Sequence, residues 1–238
     1  MNAKRRPTST YEPLAAEYYD ERHITSRNFD EATTFFFRAH PLNLPKGKVL
    51  ELGAGRGSCL KYLNAAPQHV FQSDISLSML KITPREPAHA RIQADALALP
   101  IRSECIAVAA AFLCDPYNRP GFYREIWRIL LPGALFISTI PHPIWGSSVR
   151  MLRNYSKDQA QFLTRDGLAL RRDSFLYSDT ETQELLQGAG LERLGHHDLT
   201  LPSYVRHVSK DISDPARASG KDVVDFPIVK LTLARKPS

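Results

Sequence analysis

A chain of 238 residues, 43% hydrophobic and 24% charged, is long enough to bury one sizeable α/β core without disulfides or metals. Its three cysteines, Cys59, Cys105 and Cys114, show no C-x-x-C pairing, which argues against a disulfide scaffold or a zinc site, and no apolar run is long enough to span a membrane. The net charge of +6 admits an anionic partner, but the densest basic clusters are only Lys4-Arg5-Arg6 in a polar tail and Arg171-Arg172 in an expected loop, without interleaved aromatics to stack bases, so nucleic acid is not the expected partner.

The chain reads as one domain, 1–238, and the basic amino terminus lacks the apolar core of a secretion signal, so a cytoplasmic location is expected. Residues 1–44 read as a helical cap in which Leu14, Ala15 and Tyr18 share helical spacing and Phe35-Phe36-Phe37 supplies core. Strands are expected at Val49 to Leu52, Val70 to Asp74, Ile92 to Ala94, Ile106 to Phe112, Ala134 to Ile140, Leu191 to His196 and Pro227 to Ala234, and their apolar character suits buried parallel pairing. Between the fourth and fifth, Pro120 suits a first helical turn and Gly133 a helix exit, while Phe122, Ile126, Ile129 and Leu130 share one face. Ser178 and Glu181 form a capping-box pattern for a helix to about Gly188, and the end of the chain reads as hairpin-like. Strand and helix alternate in the α/β pattern of a parallel sheet, whose order the sequence leaves open. Residues 141–178 and 199–226 are irregular insertions, expected to form a lid together with 1–44.

The segment Glu51-Leu52-Gly53-Ala54-Gly55-Arg56-Gly57-Ser58 closes the first strand with an acid and a glycine-rich turn, where the backbone can approach a ligand more closely than a Cβ allows. A helix from near Ser58 would aim free N–H groups at that ligand. A dinucleotide fingerprint requires a third glycine where Ser58 stands, and Glu51 would repel a pyrophosphate. Asp74 ends the next apolar run about twenty residues on, where doubly wound folds place an acid on ribose hydroxyls. Asp95 closes the third strand.

These residues, with Asp74-Ile75-Ser76-Leu77-Ser78-Met79-Leu80, Asp95-Ala96-Leu97-Ala98-Leu99-Pro100 and Glu125-Ile126-Trp127-Arg128-Ile129-Leu130-Leu131-Pro132-Gly133, occur in an order that resembles the small-molecule branch of the class I S-adenosylmethionine-dependent methyltransferases. The resemblance implies a seven-stranded Rossmann-like sandwich and S-adenosylmethionine as cofactor. It implies that Glu51, Gly53, Ala54 and Gly55 hold the methionine part, that Asp74 binds the ribose hydroxyls beside Ile75 and Met79, and that Asp95 and Ala96 face the adenine. It further nominates Tyr19 to close over the methionine end and Phe112 to lie beside the transferred methyl. No metal is expected.

His142, in Pro141-His142-Pro143-Ile144-Trp145 just after the fifth strand, is the leading general-base candidate, with His23, His196, His197 and His207 behind it. Asp115-Pro116-Tyr117 reads as a turn before a helix rather than an amine-binding motif. The expected activity is methyl transfer to a small-molecule acceptor; an RNA or protein acceptor and a non-catalytic cofactor-binding module remain as alternatives. Acceptor atom and oligomeric state are not written in these residues.

Overall fold

The structure, a computed structural model, describes residues 11–18, 20, 22–55, 57–82 and 89–238. Its strands are β1 (Val49–Leu52), β2 (Val70–Asp74), β3 (Ala90–Gln93), β4 (Ile106–Phe112), β5 (Leu130–Pro141), β6 (Gln159–Leu163), β7 (Ala169–Asp173), β8 (Glu192–Leu199) and β9 (Val229–Arg235). The helices are α1 (Ile24–Ala39), α2 (Ser58–Leu63), α3 (Leu77–Lys81), α4 (Pro120–Ile129), α5 (Pro143–Arg153), α6 (Asp179–Gly188) and α7 (Lys210–Ala218). Seven strands form one sheet in the order β3-β2-β1-β4-β5-β9-β8, and β6 pairs with β7 as a separate hairpin.

Strands β3 to β5 pair in parallel, whereas β9 runs antiparallel to both β5 and β8. The antiparallel β8–β9 pair agrees with the hairpin-like end expected, whereas the apolar runs had suited parallel pairing, since an apolar run records that a strand is buried but not which way it points. Within the sheet, alternate side chains sort into two layers. Val108, Ala110 and Phe112 of β4 join Phe29 and Phe37 of α1 and Tyr62 of α2 in one cluster. Ala109 and Ala111 face the other, with Phe122, Ile126 and Ile129 of α4 and Leu186 of α6.

Helix α4 starts as its sequence requires, with Pro120 in the first turn, where its missing N–H is no loss. It ends at Ile129, and Gly133 lies inside β5 at φ +75° rather than at the helix exit. At α6 both arms of the capping box form: Ser178 Oγ accepts from Glu181 N at 3.3 Å, and the Glu181 carboxylate accepts from Ser178 N at 2.8 Å.

Three expectations are corrected. Phe37 is core, but Phe35 is 46% exposed and meets Tyr204 edge-on, because consecutive helical residues cannot share one face. Arg171 and Arg172 lie in β7 rather than a loop, and Arg172 is buried with its guanidinium over the Tyr11 ring. The insertions are not irregular throughout, since they contain α5, the β6–β7 hairpin and α7. Among the described residues no helix is long and apolar enough to cross a membrane.

Removing the cap with Ser178→Ala should lower stability by about 1 kcal/mol, read as a shift of the urea midpoint at constant slope.

Candidate active site

Strand order proceeds outward in opposite directions from the β1–β4 pair, so the segments leaving these two strands part and open a crevice at their carboxyl ends. The first wall is the turn after β1. Gly53, Gly55 and Gly57 have φ of +60°, +50° and +91°. A Cβ on Gly53 would stand 2.6 Å from the Cys114 Sγ, so this glycine is required by both conformation and space.

Two carboxyls hold the turn. Glu51 is 1% exposed; its Oε1 accepts from Cys59 N at 2.7 Å and its Oε2 from Gln72 Nε2 at 3.0 Å. Burial pushes its carboxyl up to about 7, against the pull of those donors. Asp74, at the end of β2, accepts from Gly55 N at 3.0 Å through one oxygen and from Ser76 N at 2.8 Å through the other. Its carboxyl is raised chiefly by burial, and the charge of Glu12 adds to the effect.

The structure therefore brings Gly53, Ala54, Gly55 and Asp74 together, with Ala54 N bonded to Ser73 O at 3.0 Å. Beside them Ile75 is half-buried, and Met79 is buried in α3, whose start Ser76 caps by accepting from Met79 N. Asp95 and Ala96 follow the neighbouring β3; Asp95 accepts from Leu97 N at 2.9 Å, and Ala96 is buried against the α4 layer. Glu51 lies behind the turn with both oxygens engaged by the protein, so it reaches the crevice through the turn it holds. The tyrosine expected to close over the site, Tyr19, lies outside the described residues.

Two expected residues stand elsewhere. The Phe112 ring packs edge-on against Tyr62 at 4.9 Å and Phe37 at 6.0 Å in the α1–α2 layer. Its neighbour Leu113, at φ +53°, is the one that faces the cavity described below. His142 is 5% exposed and caps α5, its Nδ1 accepting from Ile144 N at 3.2 Å while its Nε2 meets Asp198 at 3.1 Å. Both ring nitrogens are thus occupied, and His142 is not part of the cavity wall. Burial holds its pKa below the usual histidine range despite Asp198.

A cavity of about 780 Å³ lies beyond the ends of β4 and β5. The end of β5 and the turn after β4 contribute little more than Pro141, Leu113 and Asp115; the remaining wall comes from all three cap and insertion segments. Tyr11, Tyr18, His23 and Phe29 come from the first, Trp145, Arg150, Tyr155 and Phe162 from the second, and Val208 to Asp211 from the third. Phe162 joins cap to hairpin, with Tyr18 at 5.8 Å, Tyr11 at 6.2 Å and His23 at 6.3 Å between ring centroids. Asp115 is the buried acid of this wall, its carboxyl pushed up to about 6 chiefly by burial. Leu113 and Phe162 escaped the sequence reading, and Asp115 was read there only as part of a turn. The Asp166-Gly167 pair between two short β-prone runs was the available signal for the hairpin.

The family model for a methyltransferase domain matches residues 50–138, from β1 into β5. No curated protein matches the chain. Among solved structures, a chain of the Haloferax volcanii complex between the Trm112 methyltransferase activator and a methyltransferase is 17% identical at a TM-score of 0.67, over 96% of each chain. A structure described as an S-adenosylmethionine-dependent methyltransferase from Listeria monocytogenes is 14% identical at a TM-score of 0.67, over 89% of this chain and 100% of that one. Geranyl diphosphate C-methyltransferase from Streptomyces coelicolor, in complex with Mg2+, geranyl diphosphate and S-adenosyl-L-homocysteine, is 15% identical at a TM-score of 0.59, over 86% and 77%. At such identities the likeness is one of fold.

Two outcomes follow from the turn. Gly53→Ala should cost more than the about 1–2 kcal/mol of a left-handed alanine alone, and Cys114→Ala should restore only the steric part, measured by chemical denaturation of the single and double variants. Because the folded Glu51 carboxyl is raised, its contribution to stability is full below 4.5 and lost as pH rises through about 7, by at most about 3 kcal/mol. Glu51→Gln should flatten that part of the stability profile between pH 5 and 8.

Proposed function

We propose that this chain, a class I S-adenosylmethionine-dependent methyltransferase, methylates a small molecule held in the cavity between its cap and insertions. The observation that carries this reading is the cavity itself: about 780 Å³, walled mainly by side chains outside the common sheet, and within the size range of small-molecule sites. A nucleic-acid acceptor calls for unpaired basic side chains along a groove. The arginines here are engaged instead, Arg22 with Glu17 and Asp20, Arg165 with Asp20, and Arg150 with the Gln159 and Ser174 carbonyls.

The residues of the crevice fit the cofactor. The Gly53 cradle would be filled by a Cβ, Asp74 offers a carboxylate at a strand end for a vicinal diol, and Ile75, Met79 and Ala96 give apolar surface beside Asp95 for a flat base. When bound, S-adenosylmethionine supplies an electrophilic methyl group on a sulfonium. The protein's part is then to orient the acceptor and exclude water. Enclosure by Tyr11, Tyr18, Trp145 and Phe162 does both, and orientation of that kind is worth roughly 7–11 kcal/mol in favourable cases. Tyr19 is proposed to close the methionine end, and His142 to position α5, and with it Trp145 and Arg150, rather than to move a proton.

Incubation with methyl-labelled cofactor and a cell extract should place label in compounds passing a low-mass filter. Label confined to RNA or protein, with activity falling steeply as salt rises, would refute the small-molecule reading. Asp74→Ala should weaken binding of S-adenosylhomocysteine by about 1–3 kcal/mol in calorimetry, and unchanged affinity would remove Asp74 from the ribose site.

A further inference from the structure

One histidine meets the requirement that His142 fails. His23 lies in the cavity wall, and its Nε2 is buried with no hydrogen-bond partner among the described residues. The residue is anchored through its backbone on both sides and through its ring on one. Its backbone N–H donates to Asp20 O at 3.0 Å, its carbonyl accepts from Arg27 N at 3.2 Å at the start of α1, and its ring edge packs on Phe162. Fixing a ring while leaving a buried nitrogen unpaired is costly unless a bound molecule supplies the missing partner.

The rest of the wall indicates what that molecule is. Six aromatic side chains, Tyr11, Tyr18, Phe29, Trp145, Tyr155 and Phe162, surround the same space, which suits a flat ring. We propose that His23 is the proton acceptor of the acceptor site, and that the substrate class is a phenol whose hydroxyl donates to His23 Nε2. This inference rests on the small-molecule reading above.

The step balances. The phenol oxygen forms the new bond to the methyl carbon, the carbon–sulfur bond breaks with its electron pair remaining on sulfur, and the hydroxyl proton passes to Nε2. The imidazolium then releases that proton to water. A neutral imidazole is needed at the outset, and burial together with the Arg22 charge keeps the His23 pKa below the usual histidine range, against the opposing effect of Asp20 and Glu17. The other charged groups around the site are Arg165 on the hairpin, Asp115 beyond β4, Arg150 on α5, and Lys210 and Asp211 on α7.

The test compares 4-methylphenol, which keeps its hydroxyl proton at neutral pH, with its methyl ether, 4-methylanisole, binding to the full chain saturated with S-adenosylhomocysteine. The wild type should prefer the phenol by about tenfold, as one hydrogen bond to a buried unpaired group allows. His23→Leu should abolish that preference while leaving the thermal midpoint unchanged, and His23→Gln should restore part of it. In the histidine 15N spectrum the His23 Nε2 resonance should move with the phenol and not with the ether. Equal preference in the wild type and His23→Leu, or binding of the ether without the phenol, overturns the role of His23 and leaves the small-molecule reading standing. If neither compound binds, the phenol class is wrong; if, in addition, label from the extract experiment stays in RNA or protein, the small-molecule reading falls with it.

Discussion

The Glu51 carboxyl is the fixed point from which the site is built. Placed in the sheet with 1% exposure, it receives the Cys59 N–H from the first turn of α2 and the Gln72 amide from β2, so that one side chain ties two strands and a helix together. From the other side Asp74 receives the Gly55 N–H. The turn is thus clamped between two acids, each carried at the expense of burial, as their raised pKa values record. Such arrangements concentrate where a backbone must keep one shape to meet a ligand. Cys114, filling the space beside Gly53, completes the clamp from the turn that follows β4.

The sheet and the cavity divide the labour. Strands β1 to β5 are what the methyltransferase-domain match covers, and they supply the crevice. Most of the cavity wall lies outside residues 50–138, in segments that the common fold does not prescribe. Function at this level belongs to the additions rather than to the fold. Those additions are joined less by their exposed ion pairs, which contribute little, than by the packing of Tyr11, Tyr18 and His23 on Phe162.

The central strands were legible in the sequence because they are short apolar runs bounded by acids and glycines, and the bounds of β1, β2 and β4 coincide with those expected. What escaped was set by contacts distant along the chain. At the end of β4 the side chain lining the cavity is Leu113, one residue beyond Phe112 and packed against the same cluster; the chain leaves the strand there through a left-handed turn that carries no glycine to announce it. His142 occupies a strand-end position that suggests chemistry, yet Asp198, more than fifty residues away in sequence, and the α5 N-terminus occupy its nitrogens. His23 offered no comparable motif, and only the folded cavity sets its unpaired Nε2 apart.

The antiparallel insertion of β9 bears on how the molecule assembles. Among the described residues strand β8 has no sheet neighbour other than β9, and β9 is in turn its link to β5. During synthesis from the ribosome, β8 emerges some thirty residues ahead of the strand that must be threaded between it and the sheet, with α7 formed in the interval. Closing that gap is a long-range event, slow relative to the local pairing of β6 with β7. Until β9 is in place the hydrogen-bonding edge of β5 stays open and β8 has no place in the sheet, so the last strand of the chain closes both.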